Sequence, residues 1–560
     1  MATTTKFVFE DRFAKVAITF SYIMLLLGGL FGFLQVLSRA PGMPQLETPE
    51  LYYSGLTLHG TALAILWTAF FIMGLAVFVV TRELDMRLNP VLLRSACVLA
   101  VLGTLMAAVE ILRGEAAVLY TFYPPLYASP LFFIGLAVLL IGTWLFGAAI
   151  LHAIFKWKAA NRDKEVPLGV YGVFTTVMIW LYATPPLAYA VLFRSLPMAL
   201  FGSNAPVDVL EWRLWFWYFG HPLVYFWLVP AVTVWYTILP RVLGVEVFSK
   251  TMAKAAFFLY LIASTPVGLH HQFVDPGVHP VYKYLHTVLT YVVAVPSFLT
   301  AFNIVATLER AGRARGGKGL FGWITALPWG KDPVFTGITF AIILFGIAGF
   351  SGVVNASFNV NYMVHNTAWI VGHFHLTVGG GVTLTFISTS FLLVPLLFGR
   401  DYVAKRLLIA VPTLWFIGQL IFGFAYHLAG IYGAPRRTYL PPYLQNPDLT
   451  QGAHFVPDWI PLLQLGAVGG VTFALGGALF LLLTFATIFA GPRVRLSGGE
   501  VKISPDPDRA TFFDKLGLVI LIGLVLIVIA YSLPAIEVYS RGLSPAPPYN
   551  PLTGAPVTTS

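Results

Sequence analysis

Long apolar runs separated by short polar loops set the pattern of this chain. Runs of about 20 residues, the length that about 30 Å of hydrocarbon requires, recur until only loops remain between them. They predict thirteen membrane helices, over 15–38, 51–80, 92–112, 129–155, 169–193, 211–240, 254–274, 285–308, 333–354, 366–398, 407–431, 459–491 and 516–535. Segment 333–354 fits least well, because its Gly-rich end, GIAGFSGVVNASF, can leave the membrane early. The expected fold is an all-α polytopic membrane protein, one integral domain over 1–560, with a short N-terminal segment 1–14 and a C-terminal tail 536–560.

Composition agrees: the chain is 58% hydrophobic and only 10% charged, where soluble domains are about 25% charged. Charge adds orientation. All but eight of the 34 Lys and Arg fall in the N-terminus and every second loop, among them KWKAANRDK, ERAGRARGGKG, GRDYVAKR and GPRVRLSGGEVK. That asymmetry predicts an inside N-terminus and an outside C-terminus. The net charge of +10 is then a topology signal, and no nucleic-acid partner is expected. The first apolar segment is too long for a signal-peptide core and is read as a retained span. The lone Cys97 excludes an intrachain disulfide, a Cys-ligated iron–sulfur cluster and a C-x-x-C-H haem attachment, so any metal rests on histidine.

Six of the twelve histidines lie within apolar segments: His59, His221, the adjacent His270 and His271, and His373 with His375. The topology puts all six in the outer half of the membrane, and ionisable residues at such depth mark functional sites. Residues two apart on a helix differ by roughly 200° in azimuth, so His373 and His375 serve two separate centres. His270 and His271 can converge on one ion near a helix end, with His221 as a third ligand; three imidazoles suit copper, zinc or non-haem iron. His59 and His375 then remain as an axial haem pair, with His373 as the fifth ligand of a second haem. Taken singly, each histidine is as readily a hydrogen-bonded bundle residue; six at one depth are harder to dismiss. The segment GKGLFG, 317–322, matches G-x-G-x-x-G but lies in a basic loop, with no strand before it and no helix opened by it, and is a coincidence.

At these residues the chain resembles subunit I of the haem–copper oxygen reductases, the terminal oxidases of respiration, and most closely their B-type (ba3-like) branch. The resemblance covers nearly the whole chain. Its marks are GLTLHG at 55–60, LYTFYPPL at 119–126, GHPLVYFW at 220–227, STPVGLHHQF at 264–273, VHNTAWIVGHFH at 364–375 and APRRTY at 434–439. It implies a low-spin haem, of b type, on His59 and His375, and a high-spin haem, of a type, on His373. It implies one copper on His221, His270 and His271, with O2 reduced to water between copper and high-spin haem.

The resemblance also assigns Tyr225, four residues after His221, as a tyrosine joined covalently to that histidine that supplies an electron and a proton. Arg436 and Arg437 match the family's propionate-binding pair, and His365 and Asn366 fall where the family meets propionates or waters. Asn361 departs from the acidic residue expected there. Leu223 replaces the glutamate that A-type members often carry. The B-type alternative is a single path for protons from inside through Thr300, Ser297 and Tyr236; Val232 interrupts it where relatives have a tyrosine, and Thr233 stands beside the gap.

The implied setting is the plasma membrane of a prokaryote, with proton pumping. The implied partners are a subunit II carrying a dinuclear copper site, a small single-helix subunit, and cytochrome c or another small redox donor. A nitric oxide reductase of the same superfamily is the nearest rival, with non-haem iron for copper; a haem- or metal-binding transporter without oxygen chemistry is the other. Topology is directly testable: fluorescent-protein fusions at the N-terminus and within 311–318 should fluoresce in the cytoplasm, and a phosphatase inserted within 113–118 should be active. Phosphatase activity from 311–318 would reverse the orientation.

Overall fold

The computed structural model describes residues 6–44, 46–440, 456–494, 503–504, 507–541, 545–546 and 548. The far N-terminus and most of the expected tail 536–560 therefore lie outside the described residues, as does the end of the loop GPRVRLSGGEVK. Among the described residues, twelve helices are long and apolar enough to cross a membrane, from Val8–Ser38 through Leu516–Ser540. The fold is an all-α bundle, with one strand pair among the described residues, Val207–Asp208 with Pro545–Ala546.

The one expected segment that is not among these spans, 254–274, is present but in two pieces. The run 254–274 is not continuous: a helix over Lys250–Ala263 ends, and a 3-10 turn over Gly268–Gln272 follows. Pro266 explains the break, since it lacks an N–H and its ring clashes with the preceding turn. The segment 333–354, expected to be the weakest, is an unbroken helix over Pro333–Ala356.

Boundaries follow local chemistry. Asn89, Ser129, Asp208 and Asp332 each cap a helix N-terminus with a side-chain oxygen, accepting orphan backbone N–H groups, and Pro130 and Pro333 occupy first-turn positions where no N–H is needed. Small residues let backbones touch. A Cβ on Gly103 would lie 2.4 Å from the Leu139 nitrogen of the next helix, the close packing that drives association where lipid offers no hydrophobic force.

The helix Val209–Val242 runs through the centre of the bundle and is almost wholly buried, whereas Pro280–Ala314 exposes most of one side. Two ligand-bearing helices widen into π segments immediately at the histidines, over Thr61–Trp67 and His375–Thr383. Such departures from α geometry cluster at functional sites.

At its N-terminal end, the helix Leu516–Ser540 is tied to the bundle by a buried ionic cluster. Lys254 is 2% exposed and lies 2.9 Å from Glu165 and 3.0 Å from Asp514, while Asp514 also accepts the Val166 N–H at 2.7 Å. Removing the cation leaves two buried carboxylates facing each other, a change that costs about 3–5 kcal/mol. Lys254→Met should therefore lower the thermal midpoint of the detergent-solubilised protein by several degrees, measured by fluorescence-monitored unfolding, and more than Asp514→Asn does.

Candidate functional site

The broken helix explains how three imidazoles meet. The 3-10 turn carries His270 and His271 against His221 on the central helix, with potential ligand atoms of all three within 4.8 Å of one another. Gly268 is required at this approach: a Cβ there would lie 2.2 Å from the Trp217 carbonyl oxygen, and its N–H donates to Tyr531 Oη at 2.9 Å. Trp217 stacks on His271 at 3.8 Å, and His270 Nδ1 bonds Thr290 Oγ1 at 2.8 Å. His221 Nδ1 and His271 Nε2 are 3.2 Å apart, close to the spacing of about 3.3 Å between two nitrogens that share a tetrahedral metal at about 2.0–2.1 Å each. The other nitrogen of His221, Nε2, is buried with no partner. Tyr225 lies beside it, ring centroids 5.1 Å apart.

His59 and His375 face each other across the bundle, near-parallel at 12° with centroids 6.2 Å apart. Each commits Nδ1 to a backbone carbonyl at 2.8 Å, His59 to Gly28 and His375 to Val371, which fixes Nε2 as the free ligand atom. With metal–nitrogen bonds of about 2 Å, each ring centre stands roughly 3 Å from an iron between them, so the pair fits a six-coordinate haem. A Cβ on Gly32 would meet the His59 ring at 2.5 Å.

His373 projects from the opposite face. Its Nδ1 bonds Ser351 Oγ at 2.8 Å, its ring borders Gly352, and it sits close enough to His221 and His270 for their charges to interact. The two rings of the i, i+2 pair thus point to opposite sides of their helix, His375 toward His59 and His373 toward Ser351.

A third group gathers where the turn at Asn366 meets the segment Ala434–Arg437. Arg436 N–H donates to the Asn366 carbonyl at 2.9 Å, and Ala368 N–H to the Ala434 carbonyl at 2.7 Å. Asn366 and Arg437 both hold positive φ, 56° and 66°, conformations that cost a non-glycine residue about 1–2 kcal/mol. His365 Nδ1 is 3.0 Å from Asn361 Oδ1, so the residue that departs from the family pattern engages its predicted neighbour. Both guanidiniums converge on one phenol: Arg437 Nη2 donates to Tyr120 Oη at 2.9 Å and Arg436 does likewise, while Nε of Arg437 is buried without a partner.

Burial, reinforced by Arg437, pulls the Arg436 pKa down to about 10. Burial raises the Tyr120 phenol, but the two guanidiniums outweigh it and hold it below its usual value. Two desolvated cations sharing one neutral oxygen suit further anionic ligands, as haem propionates are.

The hydroxyl residues divide. Tyr236 donates to Thr300 Oγ1 at 2.8 Å, and Ser297 meets Tyr260 at 3.0 Å. Thr233 is turned away: its hydroxyl bonds the Val229 carbonyl at 2.8 Å and it packs against Gly172 of the helix Leu168–Ala190. Sequence reasoning passed over Tyr260, Ser351, Thr290 and the role of Tyr120, which it had quoted within LYTFYPPL without assigning. Each acts through a neighbour on another helix, and only the positive-charge clustering of Arg436 and Arg437 hinted that an acceptor was needed.

The family model described as cytochrome c and quinol oxidase polypeptide I matches residues 12–472. The cytochrome c oxidase subunit 1 of Thermus thermophilus is 39% identical over 96% of this chain and 96% of its own. The quinol oxidase subunit 1 of Sulfolobus acidocaldarius is 26% identical over 80% and 84%. A solved structure described as a heme-copper terminal oxidase dimer superposes with a TM-score of 0.89 at 36% identity, over 97% of this chain and 95% of that one.

The two centres can be separated by substitution. His59→Ala should remove the low-spin spectrum and keep carbon-monoxide-reactive haem, and His373→Ala should do the reverse, read in reduced-minus-oxidised and carbon-monoxide difference spectra. Retention of both signals in both variants would refute the partition.

Proposed function

This chain belongs to the cytochrome c and quinol oxidase polypeptide I family, and on that premise we propose how its residues divide the work. It is the catalytic subunit of a terminal oxidase, a multi-span membrane protein of the haem–copper class that reduces O2 to water. The observation that carries the assignment of roles is the sorting of six buried histidines into a facing pair, a triad and a single residue.

In this reading His59 and His375 hold a low-spin b-type haem, His373 holds a high-spin a-type haem, and His221, His270 and His271 hold one copper. Bound there, the haems relay electrons and the haem–copper pair supplies the redox chemistry that splits O2. The protein's part is orientation and protons. Gly28 and Val371 carbonyls, Ser351 and Thr290 each take one imidazole nitrogen and so aim the other. Arg436, Arg437 and Tyr120, with His365 and Asn366 beside them, neutralise and hydrogen-bond propionates at the outer edge. Tyr225 stands next to the triad, where its O–H can deliver a proton to the reacting oxygen.

Protons reach Tyr225 from inside along the polar face of Pro280–Ala314, through Thr300, Ser297 and Tyr236, while electrons enter from outside. Opposite delivery separates charge across the membrane, and pumping adds to it. Leu223 in place of an acidic residue two positions after His221 on the same helix and a single hydroxyl path support the B-type, ba3-like branch. Because Cys97 is the only cysteine, a dinuclear copper entry site belongs to a partner subunit II, fed by cytochrome c or another small redox protein; a small single-helix subunit completes the assembly. The location is a prokaryotic plasma membrane, N-terminus inside and C-terminus outside.

Metal analysis of the purified protein should give two haem irons and one copper per chain, with one haem binding carbon monoxide. Iron in place of copper would move the assignment to nitric oxide reduction, and no carbon-monoxide-binding haem would move it to transport. Tyr225→Phe should retain both haem spectra while O2 consumption falls at least about a hundredfold; turnover at the original rate would remove the tyrosine from the mechanism.

A further inference from the structure

We propose that Tyr260 is the proton relay that joins the inner hydroxyl path to Tyr225, in the place that Val232 leaves without a hydroxyl. The inference rests on the oxidase reading above and deepens its proton route. Tyr236 and Tyr225 lie on one helix, eleven positions apart, or about 16 Å along its axis, far beyond a hydrogen bond. The residue one turn from Tyr236 toward Tyr225 is Val232, apolar and fully buried. Thr233 faces the other way, bonded within its own helix. The central helix therefore offers no route of its own.

The neighbouring helix Lys250–Ala263 supplies one. Tyr260 stands in its last turn, immediately before the break at Pro266, and is fully buried. Its Oη is 3.0 Å from Ser297 Oγ, and its ring lies 5.9 Å from that of Tyr225, centroid to centroid. Ser297 and Thr300 are three residues apart on one helix face, where Cβ atoms lie about 5–6 Å apart, a gap that one water spans. The sequence of groups is then Tyr236 to Thr300 at 2.8 Å, Thr300 to Ser297 along the helix, Ser297 to Tyr260, and Tyr260 to Tyr225.

A buried phenol satisfied by one serine is sufficient for packing alone. What distinguishes Tyr260 is that it touches the end of one polar group and the start of the other, with apolar Val232 on the alternative line. In each passage the Tyr260 O–H bond breaks toward Tyr225 and re-forms with a proton from the Ser297 side, so the residue is regenerated and no charge remains on it.

The test is Tyr260→Phe in the assembled complex, which keeps the ring and removes the hydroxyl. Proton uptake is followed with a pH-sensitive dye on the inner side during anaerobic reduction, so that no O2 is turned over. Uptake should slow at least about tenfold, its solvent deuterium isotope effect should rise, and the haem and carbon-monoxide spectra should match the unsubstituted protein. Adding Val232→Tyr should restore part of the rate. Uptake within twofold of the unsubstituted protein, while Thr300→Val slows it, would overturn the relay and leave the oxidase reading standing. Unsubstituted protein that binds no haem would overturn both. If Tyr260→Phe does not assemble, Ser297→Ala gives the same decision: slowed uptake with intact spectra supports the relay, and unchanged uptake overturns it.

Discussion

A buried imidazole has two nitrogens to satisfy, and the division of those nitrogens orders the centre of this protein. His59, His373 and His270 each give Nδ1 to a carbonyl or hydroxyl on a neighbouring helix, and His375 gives its Nδ1 to the Val371 carbonyl one turn back on its own helix. The remaining nitrogen is thereby fixed in both direction and protonation state, as a metal ligand requires. Leaving a desolvated nitrogen without a partner is costly, so the fold supplies one hydrogen bond per ring and the cofactors supply the rest. His221 differs, with Nδ1 facing His271 and Nε2 buried without a partner next to Tyr225.

That requirement shapes backbone as well as side chains. The 3-10 turn after Pro266 brings two consecutive histidines against His221, and π segments start next to His59 and at His375, whose rings face each other. Regular α geometry spaces neighbouring side chains by about 100° and would send His270 and His271 apart. Irregular backbone is tolerated at membrane depth where protein surrounds it, and here it is held by Gly268 and Tyr531.

The polar periphery follows a second constraint, that charge near the membrane needs compensation. Beside the Asn366 turn two guanidiniums share one phenol, an arrangement short of negative charge and, in the proposed reading, matched to haem propionates. Before the helix Leu516–Ser540, Lys254 is compensated within the chain by Glu165 and Asp514. The second is a fastening within the chain and the first is open to an anionic ligand, and what separates them is whether the balancing charge is already present.

Apolar run length, loop charge and histidine spacing were enough to read the bundle, the two-sided use of His373 and His375, and the residues of the triad, because bilayer thickness and helical periodicity act locally along the chain. The break in 254–274 was missed: hydropathy registers Pro266 as one more tolerable residue within an apolar run, although its missing N–H and its ring stop the helix at Ala263. Tyr260 was passed over for a related reason. Its place between Ser297 and Tyr225 depends on how three helices cross, and no spacing within a single helix records that. The sequence by itself determined which residues could ligate; tertiary packing decided which nitrogen His59, His373 and His270 commit to a neighbouring helix, which ring lies beside Tyr225, and that Thr233 packs against Gly172, since each of these depends on contacts between segments far apart in the chain.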